Sequence, residues 1–139
     1  MKKLKRQRGA ALVEFAIVVP LLLTLVFGMI EFGVLLYDQQ VITNASREGA
    51  RAGIVAQTPR LDTTQIEGIV KNYAATHLVT FGTKTVNDLK VTSTYGSQTF
   101  PNPLTVNVTY DYSFLVIPNF IPGINKLKTL SATTVMRYE

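Results

Sequence analysis

The sequence predicts an α+β fold. A long N-terminal transmembrane helix runs on into a small domain that adds a second helix and a three- or four-stranded antiparallel sheet. Three observations predict it. Residues 15–37 form a 23-residue run with one charge, Glu31, and about 20 helical residues cross a hydrocarbon core at 1.5 Å each. Residues 38–57 contain no proline and keep a helical spacing of apolar and small positions, with Val41, Ala45, Ala52, Val55 and Ala56 recurring on one side. Farther on, Leu104, Val106, Val108, Tyr110 and Tyr112 alternate with Thr105, Asn107, Thr109 and Asp111, the period of a half-buried strand.

Taken in order, the chain divides into a basic leader at 1–9, a helix at 10–57 and a domain at 58–139, which lies outside the cytoplasm and packs on the helix's C-terminal half. The membrane segment is read at about 15–37, with Asp38 marking its outer boundary. Pro20 inside the helix predicts a kink or one opened backbone bond. Thr58-Pro59 ends it, because a residue before proline avoids the α region. From residue 10 to 57 an unbroken helix is roughly 70 Å long. Residues 62–78 read as a second helix, capped by Asp62, Thr63 or Thr64, with Glu67 favouring its N-terminal dipole. Its apolar face holds Ile66, Ile69, Val70, Tyr73, Ala74 and His77. After Gly82 the period shortens. Val86, Leu89, Val91, Ser93 and Tyr95 read as a first strand, with Asn87-Asp88 a bulge or start, and Gly96-Ser97 as the turn after it. Residues 114–124 are apolar but broken by Pro118, Pro122 and Gly123, and read as a loop. It either plugs the core or exposes Phe120-Ile121 to a partner or membrane. Residues 128–138 return as a strand with Leu130, Ala132, Thr134, Met136 and Tyr138 on one face.

The charge balance excludes one function class. The net charge is +5, yet Lys2, Lys3, Lys5, Arg6 and Arg8 carry it, and from Ala10 onward 9 basic residues meet 9 acidic ones. A basic flank before an apolar run holds that end in the cytoplasm. It is no nucleic-acid surface, which needs a basic patch on the folded domain. There is no cysteine, which removes disulfides, thiolate metal sites and cysteine nucleophiles. The only histidine, His77, lacks a second His or Cys with which to bind a metal and is read as a helix-end residue. No phosphate loop, paired-carboxylate spacing or nucleophile–base context occurs. No enzyme, metal or cofactor is therefore expected.

A cleaved secretory signal explains the N-terminus poorly, since its apolar core is only 7–15 residues. A plain signal-anchor explains the basic flank, length and orientation, but not the acids. An ionised glutamate in a bilayer is costly unless it meets a partner, water or a headgroup. The order of residues is more informative. A short basic leader ends in Gly9, Ala10 follows, and Glu14 is the fifth residue after the glycine. This arrangement resembles the processing signature of type IV prepilins. The resemblance implies a prepilin peptidase that cuts between Gly9 and Ala10 on the cytoplasmic side, where a small, extended residue precedes the cut. Glu14 then pairs with the new N-terminus of a neighbouring subunit, neutralising both charges in an apolar bundle.

Farther along, Glu14-Phe15, Pro20, Glu31-Phe32-Gly33, Asn44-Ala45 and Arg47-Glu48-Gly49-Ala50-Arg51 are similar to the TadE-like minor pilin or pseudopilin family of tight-adherence (Tad, or Flp) pilus systems. The ending 129–139 resembles that family's last strand, and 59–126 matches it only in the order of elements. The resemblance implies a non-enzymatic role in pilus assembly or adhesion. It implies as partners a prepilin peptidase, other pilins or pseudopilins, the inner-membrane assembly platform and membrane lipid. It places the chain in a bacterial inner membrane before assembly and on the pilus or cell surface after it. The alternative is a single-pass anchored extracytoplasmic binding module that never enters a filament. Ala45, Gly49, Gly53 and Ala56 form a small-residue stripe for helix packing, against either the chain's own sheet or a neighbouring subunit. Glu48 and Arg51 are spaced to pair at i, i+3. The residues give no physical account of Glu31.

Overall fold

One helix carries the chain from its N-terminus to the far end of its domain. The computed structural model describes residues 2–81, 84–116 and 127–138, with side chains from Gly9 onward. The fold is α+β: a long helix α1, a second helix α2 and a three-stranded antiparallel sheet. The expected change of period at Gly82 and the expected loop beyond Val116, including Phe120-Ile121, lie outside the described residues.

Helix α1 spans Lys2–Ile54, 53 residues and about 80 Å at helical rise. It differs from expectation at its two ends. The helix already includes the leader and Gly9, which is helical rather than extended. Pro20 lies inside the helix, which continues past it as one element with the one opened backbone bond that was expected. Proline removes the bond to the carbonyl four residues back, and Thr24 Oγ1 donates to the Pro20 carbonyl at 2.7 Å. The helix ends at Ile54, not Gln57. Arg60 folds back so that Nη1 donates to the Ile54 and Val55 carbonyls at 3.0 and 3.3 Å, satisfying acceptors that a helix end leaves open. The same guanidinium lies 5.0 Å from the Tyr138 ring centroid.

Helix α2, Thr63–His77, starts in a reciprocal capping box. Gln65 N donates to Asp62 Oδ1 at 2.7 Å, and Asp62 N donates to Gln65 Oε1 at 3.0 Å, so two end donors are satisfied together. Ile66, Val70 and Ala74 are its buried positions. His77 is exposed at the helix end, stacked on Tyr73 with centroids 4.6 Å apart.

The expected first strand is shorter than its apolar alternation suggested. Val86–Asp88 is a 3-10 turn, because the Asp88 carboxylate accepts from Thr85 N at 2.8 Å and Thr85 Oγ1 accepts from Asn87 N at 3.3 Å. Such local side-chain bonds compete with a ladder. Strand β1 therefore begins later, at Lys90–Tyr95. Strands β2 (Pro103–Ser113) and β3 (Leu127–Arg137) follow. The sheet is an antiparallel meander in the order β1-β2-β3, with β2–β3 pairing running from Pro103↔Arg137 to Ser113↔Leu127. The alternating residues Leu104, Val106, Val108, Tyr110 and Tyr112 are all buried. They meet Ile66, Val70 and Ala74 of α2 and Ile42, Ala45 and Ala50 of α1 in one core. Across it, Ser46 Oγ and Thr134 Oγ1 are 2.7 Å apart, and Gln39 Nε2 donates to the Ser131 carbonyl at 2.9 Å.

Candidate functional site

The residues singled out in sequence fall into two groups that the structure keeps apart. Gly9, Ala10 and Glu14 lie on the exposed N-terminal stretch of α1, and nothing lies within 4 Å of where a Cβ on Gly9 would stand. Ala45, Gly49 and Gly53 are buried in the chain's own domain. A Cβ on Gly49 would stand 2.5 Å from Val70 Cγ2. One on Gly53 would stand 2.5 Å from Leu104 Cδ2 and 2.9 Å from Ile66 Cδ1. The small residues thus let α2 and the sheet approach α1 closely, and these three positions face inward rather than toward a second subunit. Ala56 departs from the expected stripe: it lies beyond the helix end and is exposed. Glu48 and Arg51 pair as their spacing indicated, at 2.7 Å.

From residue 10 to 30 no residue of α1 is buried, and long apolar side chains such as Leu12, Phe15, Ile17 and Leu21 stand open. The stretch belongs to a helix, Gly9–Ile54, long and apolar enough to cross a membrane. Its 21 residues measure about 31 Å at helical rise, against a hydrocarbon core of about 30 Å. The first buried residue is Glu31, at 5% exposure. The domain therefore meets the helix seven residues, or about 10 Å, before the boundary expected at Tyr37 and Asp38. Within residues 31–37, Val34 and Leu35 pack on the core while Phe32, Leu36 and Tyr37 stay exposed on the other side.

Glu31, which residue type and spacing alone leave without a role, is buried against the end of β2. Its carboxylate receives the backbone ends of the segment leaving β2. Oε1 accepts from Leu115 N and, at 3.2 Å, from Val116 N; Oε2 accepts from Val116 N at 3.3 Å. The Glu31 carbonyl accepts from Tyr112 Oη at 3.3 Å. Charge-assisted bonds of this kind are roughly twice as strong as neutral ones, so Glu31 clasps the end of β2 to the helix.

Asp38, two turns on, plays a similar part. It is fully buried, and Oδ1 accepts from Val79 N at 3.0 Å, tying the segment after α2 to α1. Oδ2 has no hydrogen-bond partner among the described residues. Burial pushes the Asp38 carboxyl up to about 6, against the smaller opposing effect of the Val79 N–H. Burial, then the charges of Asp38 and Asp88, push the Tyr110 hydroxyl up to about 12.

Glu31 and Asp38 did leave a signal. They are seven residues apart, and seven more reach Ala45. Gly49 and Gly53 continue the stripe, so both acids fall on the small-residue face that α1 turns inward.

Beside the clasp is a cavity of about 220 Å³. Phe27, Ile30 and Val34 of α1 form one wall. Phe81, Leu115 and Val116 form the other, with Glu31 between them. Among the described residues, no three His, Asp or Glu side chains come together as a metal site.

No curated protein and no solved structure was found to match the chain. Residues 9–51 match the model of a family described as TadE-like protein. The match begins at the glycine before Ala10, covers the whole exposed stretch and the clasp at Glu31, and stops within the buried stripe. The N-terminal helix is thus similar to the TadE-like family, the same family that its residues resemble in sequence.

Proposed function

We propose that the protein is a minor pilin or pseudopilin of a Tad-type pilus, with no enzymatic activity of its own. The observation that carries this is the TadE-like match over residues 9–51. The reading is supported by the geometry of the helix: residues 10–30 are largely apolar and none is buried, as a membrane segment requires, and the first buried residue is Glu31. A prepilin peptidase cuts between Gly9 and Ala10 on the cytoplasmic side and removes the five leader cations. The new α-ammonium then lies one turn, about 6 Å, from Glu14 along the helix. In the apolar environment of packed helices, an unpaired carboxylate costs far more than a paired one. Pairing with the N-terminus of a neighbouring pilin neutralises both groups. The inner-membrane assembly platform is the remaining partner, and the extracytoplasmic domain is what the subunit displays.

Coexpression with a prepilin peptidase is expected to shorten the chain by the nine leader residues, read as an intact mass, and Gly9→Ala to slow that cut. An unshifted mass sinks the prepilin reading and leaves the anchored binding module. Glu14→Gln is expected to permit cleavage while lowering incorporation into sheared pili. Full incorporation of the variant removes the pairing role.

A further inference from the structure

We propose that the cavity beside Glu31 is a lipid site that takes the upper part of a phospholipid acyl chain from the outer leaflet. This rests on the reading of residues 10–30 as the membrane segment.

The position of the cavity is the first argument. Phe27 and Ile30 belong to the last turns of the exposed apolar stretch, and Glu31 is the first buried residue after it. A stretch of about 31 Å matches the hydrocarbon thickness, so the cavity opens at the level where acyl chains meet their headgroups. Its walls are continuous with the surface that faces lipid.

The chemistry of the walls is the second. Phe27, Ile30, Val34 and Phe81 offer only hydrocarbon, and the one carboxylate, Glu31, already receives the Leu115 and Val116 amides. Water needs two to four polar partners to occupy such a site, whereas an apolar cavity of about 150 Å³ is large enough for benzene. At about 220 Å³, this one has room for a run of several methylenes.

The rim is the third. Leu115 is 54% exposed beside the cavity, and Leu127, at the paired end of β3, is also exposed. Lys128 pairs with Tyr112 in register, so its exposed side chain leaves the helix-facing side of the sheet at that same end. Apolar side chains with one long cation at the boundary suit the headgroup layer, where the lysine stem lies along apolar surface and its ammonium reaches a phosphate.

The test is photolabelling of the full chain in phosphatidylglycerol–phosphatidylethanolamine vesicles. The probe is a phospholipid bearing a diazirine on the upper third of one acyl chain, and labelled residues are mapped by mass spectrometry. Label is expected on the domain residues Phe81, Leu115 or Val116 as well as on residues 10–30. Ile30→Trp, which fills the cavity, is expected to lower the Phe81 label severalfold without changing that on residues 10–26. Label confined to residues 10–30 overturns the lipid site and leaves the membrane segment standing. Label on neither overturns both. Domain label that is absent in dilute vesicles and arises only as the protein-to-lipid ratio is raised comes from an interface between copies of the chain and overturns the lipid site.

Discussion

Residues 10–30 and residues 31–54 lie on one continuous helix, yet they are built for different surroundings. The first stretch buries nothing and exposes Leu, Val, Ile and Phe around its circumference, as a helix does when it is solvated by lipid. The second presents Ala45, Gly49 and Gly53 along one face, where α2 and the sheet come close. Helix propensity does not separate the two stretches; what surrounds the side chains does. The change occurs at Glu31, and a carboxylate is well suited to mark it. It satisfies backbone amides where the chain leaves β2, a task no apolar residue performs.

Removing that marker should produce the largest effect. Glu31→Ala leaves the Leu115 and Val116 amides without their acceptor, and bonds to charged groups contribute about 1.5–3 kcal/mol. A loss of about 2–3 kcal/mol in domain stability is expected by denaturant unfolding in detergent, with residues 10–30 remaining helical by circular dichroism. Glu31→Gln, which keeps a carbonyl acceptor, should recover part of the loss. If Glu31→Ala unfolds at the wild-type midpoint, the clasp contributes nothing and the boundary between the two stretches must lie elsewhere.

The second acid on the stripe should act in the opposite direction. The Asp38 carboxyl titrates at about 6 in the fold and near 3.9 when unfolded. Between those values the folded state holds more protons, so this group's contribution to stability falls as pH rises from about 4 to about 6. Asp38→Asn keeps an acceptor for Val79 N and does not titrate. It is expected to stabilise the domain by up to about 3 kcal/mol at pH 7.5, with the gain shrinking to little at pH 4. A gain independent of pH means that the charge of Asp38 is not what the fold opposes.

Much of this architecture is legible in the chain, for specific reasons. The long helix is read from its apolar run and from the absence of proline over residues 38–57. Leu104 to Tyr112 show their alternation, and the Asp62–Gln65 cap is local. What escapes is long-range. The partners of Glu31 lie 84 and 85 residues away, and the Asp38–Val79 bond spans 41. No periodicity encodes such pairs, so the burial of Asp38 and its bond to Val79 are not visible from its place after the apolar run. The 3-10 turn at Val86–Asp88 escaped for the reverse reason: a bond between Thr85 and Asp88 overrode an apolar pattern. Spacing alone carries Ala56 into the stripe, because the fold-back of Arg60 that closes the helix is not visible in its period.

Two glycines of the same helix sharpen the comparison further. A Cβ on Gly49 meets Val70 Cγ2 at 2.5 Å, whereas one on Gly28 meets nothing within 4 Å. Alanine gains about 1 kcal/mol of helix propensity at either site. At Gly49 the gain is opposed by overpacking, which costs about 1–3 kcal/mol, and Val70 is β-branched and stiff at χ1. Gly49→Ala is therefore expected to lower domain stability by about 1 kcal/mol, while Gly28→Ala, in a stretch that stays helical when the domain unfolds, leaves the domain's unfolding midpoint unchanged. Equal tolerance at both sites breaks the assignment of residues 31–54 as the packed half.

The smallest effect is expected on the outward side of that packed half. Arg51 Nη2 and Nε reach the two Glu48 carboxylate oxygens at 2.7 and 3.1 Å. Glu48 is held below the usual carboxylate range first by that hydrogen bond, and Arg51 is exposed. Good geometry does not make such a pair strong, because water and salt screen it; exposed i, i+3 pairs contribute only a few tenths of a kcal/mol. Glu48→Ala should cost no more than that in the isolated protein and less at high salt. A severalfold loss of pilus incorporation by this variant, with an unchanged unfolding midpoint, identifies Glu48 and Arg51 as a surface read by another subunit. The outward face of residues 31–54 then contacts a partner, while its inward face has already met its own domain.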